Sequence, residues 1–486
     1  MKELKHLLYK VNLESVVGKT TTPIQGIAFD SREVKAGFLF VALKGVLQDG
    51  HEYMDQAIAS GAVAILCESL PKAPPPSIVF IEVENSHKAL GTIAANFYDN
   101  PSEKLSLIGV TGTNGKTTVV SLLYNLFMAE GYPTGLLSTV VIRYNNTDHP
   151  TLHTTPDALS LNRHLAAMVE AGISHCFMEV SSHGISQHRT HGLHFRGGVF
   201  TNLTHDHLDY HGDFKSYRDM KKRFFDALPQ KAFALINSDD KNGAFMLQNT
   251  KAKKYHYAQQ QHADFRAQVL ENSFSGMLLK FDQQEVWTPL VGTFNAQNLL
   301  AVYGVAKILD LDLLNVLRQF STLNSVPGRF QTFTTQNKTT VVVDYAHTPD
   351  ALENVLKTIN SIRTKNETLI TIVGCGGNRD QEKRPLMGKM AAALSDKVIF
   401  TSDNPRDEDP AKIIAQMMKG VGAEYFKRVM KITLREEAIA AACQLSQPGD
   451  VILIAGKGHE NYQEIAGKRL PFDDFQIAQQ IFLNPS

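Results

Sequence analysis

An apolar run, Leu105-Ser-Leu-Ile108, leads into Gly109-Val-Thr-Gly-Thr-Asn-Gly-Lys-Thr-Thr118 and then into a helix-like stretch over 119–127. Strand, glycine-rich turn and helix start, in that order, gather backbone N–H groups where a phosphate chain can sit. Gly112 and Gly115 let the backbone approach an anion, Lys116 can reach the β- and γ-phosphates, and the Thr117 hydroxyl can face Mg²⁺. Val110 stands where the usual pattern has its first glycine, so the reading of a nucleoside-triphosphate site leans on the strand and helix around the loop. The plainer alternative is a glycine-rich turn with a surface lysine.

Eight of the 18 histidines lie between positions 175 and 211, in Glu179-Val-Ser-Ser-His-Gly-Ile-Ser-Gln-His-Arg189 and His205-Asp-His-Leu-Asp-Tyr-His-Gly212 among other places. Both stretches follow apolar strands, which brings them near the phosphate loop. Their spacing can be read as a zinc site, as oxygen-rich surroundings for Mg²⁺ with Glu179 as a ligand carboxylate, or as ordinary polar loops. Lys221 and Lys222 fall in an amphipathic stretch over 217–225, where basic side chains are usually solvated and only exceptionally catalytic.

The elements that must position these groups alternate along the chain. Short strands over 26–29, 38–42 and 62–66 with a helix over 54–60 make a first unit, interrupted by the stiff connector Lys72-Ala-Pro-Pro-Pro76. Asn100-Pro101-Ser102 marks its end. Strands over 174–179, 198–201 and 232–236 with helical connections then imply a mostly parallel sheet covered on both faces. Thr155-Pro156 offers an N-cap and N1 proline for a helix running to Glu170. Residues 264–293 are strand-rich enough for an antiparallel insertion. Beyond Pro327-Gly-Arg329 the pattern is a doubly wound sheet, whose ligands bind past the carboxyl ends of its strands. Asp344-Tyr-Ala-His347, Gly374-Cys-Gly-Gly-Asn-Arg379, Asp403-Asn-Pro-Arg406 and Gly456-Lys-Gly-His-Glu460 each follow such a strand. The expected architecture is α/β in three domains: a small α/β unit over 1–102, a central P-loop ATPase unit over 103–331 and a Rossmann-like unit over 332–486.

Composition narrows the class without choosing within it. Lys+Arg and Asp+Glu both total 49, which argues against a nucleic-acid surface or a tail seeking an anionic membrane. The sequence has neither a membrane-spanning apolar run nor a secretory start, and Cys67, Cys176, Cys375 and Cys443 form no metal-ligand or disulfide spacing. A cytoplasmic protein is expected.

Taken together and in order, Thr-Gly-Thr-Asn-Gly-Lys-Thr-Thr, Glu-Val-Ser-Ser-His, Thr-Asn-Leu-x-x-Asp-His-Leu-Asp-Tyr-His-Gly, Gly-x-Phe-Asn-x-x-Asn, Pro-Gly-Arg-Phe-Gln, Asp-Tyr-Ala-His-Thr-Pro-Asp and Asp-Asn-Pro-Arg span nearly the whole chain. The set resembles the Mur ligases, most closely the branch acting on UDP-N-acetylmuramoyl-L-alanyl-D-glutamate in bacterial cell-wall precursor synthesis. The resemblance implies an ATP-dependent, Mg²⁺-requiring amide ligase, expected to be a monomer. It implies that Ser31 contacts the uridine nucleotide, and that Thr154, Thr155, Ser181, Gln187 and Arg189 hold the muramoyl-dipeptide. Gly112, Thr113, Asn114, Gly115, Lys116, Thr117 and Thr118 would bind ATP together with Asn295, Asn298, Arg329, Asp344 and His347. Lys116, Glu179, His207 and Lys221 form the implied catalytic set, with Thr117, Glu179, His207 and Lys221 toward metal and Lys221 carbamylated to N6-carboxylysine. Arg379, Asp403, Asn404, Pro405, Arg406, Gly456 and Glu460 match a pocket for the incoming amino acid. The arginine of Asp-Asn-Pro-Arg implies meso-diaminopimelate, since an arginine fork suits its distal carboxylate; a lysine-adding relative remains the alternative within the family. A folylpolyglutamate synthetase shares the ATPase and carboxy-terminal plan but would not need the first unit. A non-catalytic nucleotide switch would not need Lys116, Glu179, His207 and Lys221 together.

Overall fold

A computed structural model describes residues 1–45, 48–151, 153–204 and 208–483. Its three main sheets follow one another along the chain. The first has five strands in the order Ser15–Val17, Val79–Glu82, Ala62–Cys67, Phe38–Val41, Gly26–Ala28, all parallel except the edge strand Ser15–Val17. Buried apolar clusters lie on both faces, one centred on Leu39, Leu66 and Ile93 and the other on Phe40, Ile65 and Phe80.

The central sheet has eleven strands, and its core is the parallel set Thr134–Leu137, His175–Glu179, Ser106–Thr111, Gly197–Phe200, Phe233–Asn237 and Lys253–Ala258. Register matters for the site. Glu179 pairs with Val110 on one side of the phosphate-loop strand, and Phe200 pairs with Thr111 on the other. The strand-rich segment proves to be Phe265–Ser273, Gly276–Phe281 and Gln284–Thr288, antiparallel among themselves but added to the edge of this same sheet. The third sheet orders Gln331–Thr334, Thr340–Asp344, Val451–Ala455, Leu369–Val373, Lys397–Phe400 and Val429–Lys431, parallel except at Gln331–Thr334, with separate cores on its two faces. This is the expected α/β architecture.

The helix expected to start at Thr155 begins instead at Ala158, with the Asp157 carboxylate accepting from Ser160 N–H. The Thr155 hydroxyl has other partners: it donates to Glu179 O at 2.8 Å and accepts from Ser181 N–H at 3.0 Å. A tertiary contact has taken the residue that local capping preference would use.

Candidate active site

Lys116–Ala129 is a helix buried along most of its length, entered through Gly115 at φ +84°. Close packing makes two of the loop glycines obligatory. A Cβ on Gly112 would lie 1.9 Å from Thr201 Oγ1, and one on Gly115 would lie 2.6 Å from Asn298 Oδ1. Thr201 Oγ1 donates to Asn114 O, Asn114 N–H donates to Asn202 Oδ1, and Thr113 N–H donates to Asn202 O, so the next strand's exit clamps the loop. Lys116 Nζ reaches the carbonyls of Gly112 at 2.9 Å and Thr113 at 2.8 Å, which curls it over its own loop. Thr118 is buried behind it.

Lys221 is not solvated. It lies on the helix Phe214–Asp226, is 1 % exposed, and donates from Nζ to Gly112 O at 2.9 Å. Its neighbour Lys222 is also buried and paired with Asp226. Helical amphipathicity told which residues alternate but not that this helix covers the central sheet and phosphate loop. Glu179 is buried at its strand end, with Oε1 accepting from Thr139 N–H at 2.7 Å and Oε2 without a hydrogen-bond partner among the described residues. An orphaned carboxylate oxygen beside a phosphate loop fits the hard-oxygen coordination that Mg²⁺ takes. His207 lies outside the described residues, as do His205 and Asp206, and the zinc reading of that stretch goes with them.

The third sheet meets this loop through a few side chains. Arg329 donates to Thr117 Oγ1 at 3.1 Å and stacks on the Tyr345 ring at 4.5 Å. Asn114 Nδ2 donates to Asp350 Oδ2 at 3.2 Å. Asp344 accepts from Phe330 N–H and Ala346 N–H, and burial pushes its carboxyl up to about 6 against the opposing pull of Arg329. His347 Nδ1 lies 2.8 Å from Tyr345 O, and Lys383 Nζ donates to His347 O. Asn295 and Asn298 are buried, the first donating to Val291 O and the second to Asn295 Oδ1, so both are already engaged within the protein.

A cleft of about 2410 Å³ opens between the central and third sheets. From the central sheet's side it takes Lys116, Thr154, Ser181, Gln187, Arg189 and Lys221. Gln187 Oε1 accepts from Arg189, whose other N–H groups include one donating to Thr155 O, so these three act as one unit. From the third sheet come His347, Arg379, Asp403, Asn404, Arg406, Gly456 and Glu460. Ser31 is not among the lining residues. It sits buried in the turn Ser31–Glu33 of the first sheet, donating to Gln56 Oε1.

The third-sheet pocket is dense in charge. Arg406, at φ +51°, donates to Gly377 O at 2.7 Å and lies 3.4 Å from Glu464 Oε2, not in a pair with the adjoining Asp407, Glu408 or Asp409. Pro405 is buried, its carbonyl 1.9 Å from where a Gly377 Cβ would be. Glu460 is raised above the usual carboxylate range by burial and by Asp403, with Lys457 and Asn404 pulling the other way. Gly456, at φ +117°, lets its loop approach Asp403 Oδ2, which a Cβ would meet at 2.6 Å. Sequence reading passed over Tyr345, Lys457, His459 and Glu464, all of which line the cleft or hold a residue that does. The first three lie inside motifs already quoted; Glu464 is in the hairpin Tyr462–Ile465 with Lys468–Pro471, which carries no motif.

Residues 23–98 match the family model described as Mur ligase family, catalytic domain, residues 110–306 the Mur ligase middle domain, and residues 328–458 the Mur ligase, glutamate ligase domain. The chain is 52 % identical over 480 residues, 99 % of each protein, to a Cytophaga hutchinsonii protein named UDP-N-acetylmuramoyl-L-alanyl-D-glutamate--2,6-diaminopimelate ligase, and 50 % identical over 479 residues, again 99 % of each, to one of the same name from Bacteroides thetaiotaomicron. A solved structure of a ligase of that name superposes with a TM-score of 0.69 at 33 % identity, covering 99 % of both chains. With its phosphate loop, buried lysine and charged third-sheet pocket facing one cleft, this chain belongs to the Mur ligase family.

Proposed function

We propose that this protein is the ATP-dependent ligase that joins meso-2,6-diaminopimelate to the D-glutamate of UDP-N-acetylmuramoyl-L-alanyl-D-glutamate. The observation that carries this reading is the shared cleft, in which Lys116 and Lys221 face Arg406 and Glu460. The names of relatives at about half identity supply the substrate pair. In this reading residues 1–102 receive the uridine nucleotide through Ser31, 103–331 bind ATP and the dipeptide, and 332–486 bind the amino acid.

A free carboxylate is a poor electrophile, so its oxygen first attacks the γ-phosphorus of ATP, releasing ADP and giving an acyl phosphate. Lys116 exchanges its loop carbonyls for phosphate oxygens and offsets the charge that gathers in this step. The incoming amine, once deprotonated, adds to the acyl carbon, and the tetrahedral intermediate expels phosphate to leave the amide. Thr117, Glu179, His207 and carbamylated Lys221 would hold Mg²⁺, which neutralises phosphate charge when bound. Carbamylation replaces one N–H hydrogen of Lys221 with a carboxylate and leaves another to donate to Gly112 O, so the observed bond suits the modified side chain as well. Gln187 and Arg189 orient the dipeptide, while Asp344, His347, Asn295, Asn298 and Arg329 position the nucleotide.

All three substrates meet within one chain, so a monomer suffices. No helix among the described residues is long and apolar enough to cross a membrane; the proposed nucleotide substrate is soluble, so the reaction is assigned to the cytoplasm. The test is an amino-acid screen with the UDP-muramoyl-dipeptide and ATP, scored by product mass. The expected product carries meso-diaminopimelate; equal or greater use of L-lysine would overturn the substrate assignment.

A further inference from the structure

Lys457 is fully buried, yet it lies one residue from a glycine that lines the amino-acid pocket and is used by nothing in the mechanism above. It and Glu460 are the two ends of a tight turn, closed by Glu460 N–H donating to Lys457 O at 3.0 Å. The turn brings their side chains together: Lys457 Nζ is 3.1 Å from Glu460 Oε2 and 3.0 Å from Asn404 Oδ1. Asn404 closes the triangle, its Nδ2 donating to the same Glu460 Oε2 at 2.7 Å. Asn404 Oδ1 also accepts from Glu464 N–H at 2.9 Å. Two donors on Oδ1 fix which way the amide faces, so its NH₂ has to point at Glu460. Both bonds to Glu460 go to Oε2, and Oε1 has no hydrogen-bond partner among the described residues.

We propose that Lys457 is a positioning residue for the incoming amino acid: it orients Asn404 and Glu460 so that Glu460 Oε1 is presented to the distal ammonium of the diamino acid. The proposal rests on the substrate reading above and deepens it. Asp403 shares the pocket and repels charge on Glu460; Tyr345, Tyr462 and Arg435 lie within its electrostatic reach. Burial and Asp403 push the Glu460 carboxyl toward its protonated form, a poor partner for an ammonium, and Lys457 and Asn404 on the opposite oxygen oppose that push. The arrangement divides recognition of the side chain's far end in two. Arg406 reads the distal carboxylate, and the Lys457–Asn404–Glu460 triangle reads the distal amine.

Two probes separate those halves. L-lysine keeps the distal amine without the carboxylate; 2-aminopimelic acid keeps the distal carboxylate without the amine. For the parent, Lys457→Met, Lys457→Gln and Lys457→Arg, kcat/KM is measured with meso-diaminopimelate and with 2-aminopimelic acid, alongside KM for ATP and the thermal midpoint. By analogy with outer-shell partners of ligating groups, Lys457→Met and Lys457→Gln should raise KM for meso-diaminopimelate on the order of 10–100-fold. The preference over 2-aminopimelic acid should collapse with it, while KM for ATP stays put. Lys457→Arg should keep most of the preference. A ratio unchanged in the neutral variants, or both amino acids slowed equally, would overturn the role of Lys457 and leave the substrate reading standing; so would failure of both neutral variants to fold. A parent that does not turn over meso-diaminopimelate would overturn both.

Discussion

Around the phosphate loop, functional side chains are held by backbone: Lys116 and Lys221 both donate to Gly112 O, and Glu179 accepts from Thr139 N–H. In the third-sheet pocket side chains also hold one another: Lys457 lies between Asn404 and Glu460, and Arg406, which donates to Gly377 O, also has Glu464 beside it. The first arrangement suits a ligand whose shape does not vary, a triphosphate cradled by N–H groups and a lysine. The second suits discrimination, because each internal ion pair marks a place where a ligand charge of the right sign can be matched and one of the wrong sign or none leaves a buried group unpaired. On the proposed function, electrostatic stabilisation of the reaction falls to one region and choice of amino acid to the other.

The largest expected effect tests that division at Arg406. A site built for a carboxylate leaves its arginine unsatisfied when lysine binds, so the parent's preference for meso-diaminopimelate over L-lysine can reach ~10⁴-fold. Because Arg406 has Glu464 beside it, that figure is a ceiling: the ligand carboxylate must displace or share this neighbour. Arg406→Ala should erase most of the preference without moving KM for ATP. Steady-state rates with both amino acids decide it, and unchanged selectivity would remove Arg406 as the discriminating residue. On the other side of the cleft, Lys116→Ala should lower turnover on the order of 10²–10³-fold, the scale of losing one preorganised electrostatic group. The loss should be the same for every amino acid, with folding intact; near-normal turnover would sink the phosphate-loop assignment. Lys221→Ala should be nearly inactive and Lys221→Glu partly active, with added bicarbonate helping only the parent. Intact-protein mass and rates check this, and full activity in Lys221→Arg would refute the carbamate.

The same contrast explains what could be read from the residues alone. The phosphate loop is contiguous, and strand, turn and helix start are local patterns, so its position and its glycines were legible. Burial of Lys221 was not, because a helix's own periodicity does not say which loop from over a hundred residues upstream will supply a carbonyl. Thr155 misled for a similar reason: as a local signal it reads as a cap, and only the neighbouring strand end shows where its hydroxyl goes. In the third sheet the strand-end motifs were visible, yet the partner of Arg406 comes from a hairpin near the end of the chain with no signature of its own, not from the acidic residues next to it. The acidic neighbours have other duties.

Glu408 has such a duty, and it supplies the smallest effect. Its carboxylate meets the fully buried Arg384 in two bonds of 2.8 and 2.9 Å and also accepts from Asn378 N–H, while Arg384 donates to Gly376 O. The pair thereby braces the loop that carries Arg379. The Arg384 guanidinium holds the Glu408 carboxyl down to about 2, below its ordinary 4.5. A carboxyl whose folded value is depressed stabilises the fold fully above its unfolded value and loses that contribution as pH falls toward the folded one, here between about 4.5 and about 2. With Glu408 a quarter exposed, solvent screening reduces the contribution to about 1 kcal/mol. Unfolding free energies from urea titrations of the parent and Glu408→Gln should therefore differ by that much at pH 7 and draw together as pH falls below about 4.5, toward about 2. A gap that stays constant over this range would mean that the pair's charge contributes nothing and that Glu408 braces the loop only as a hydrogen-bond acceptor.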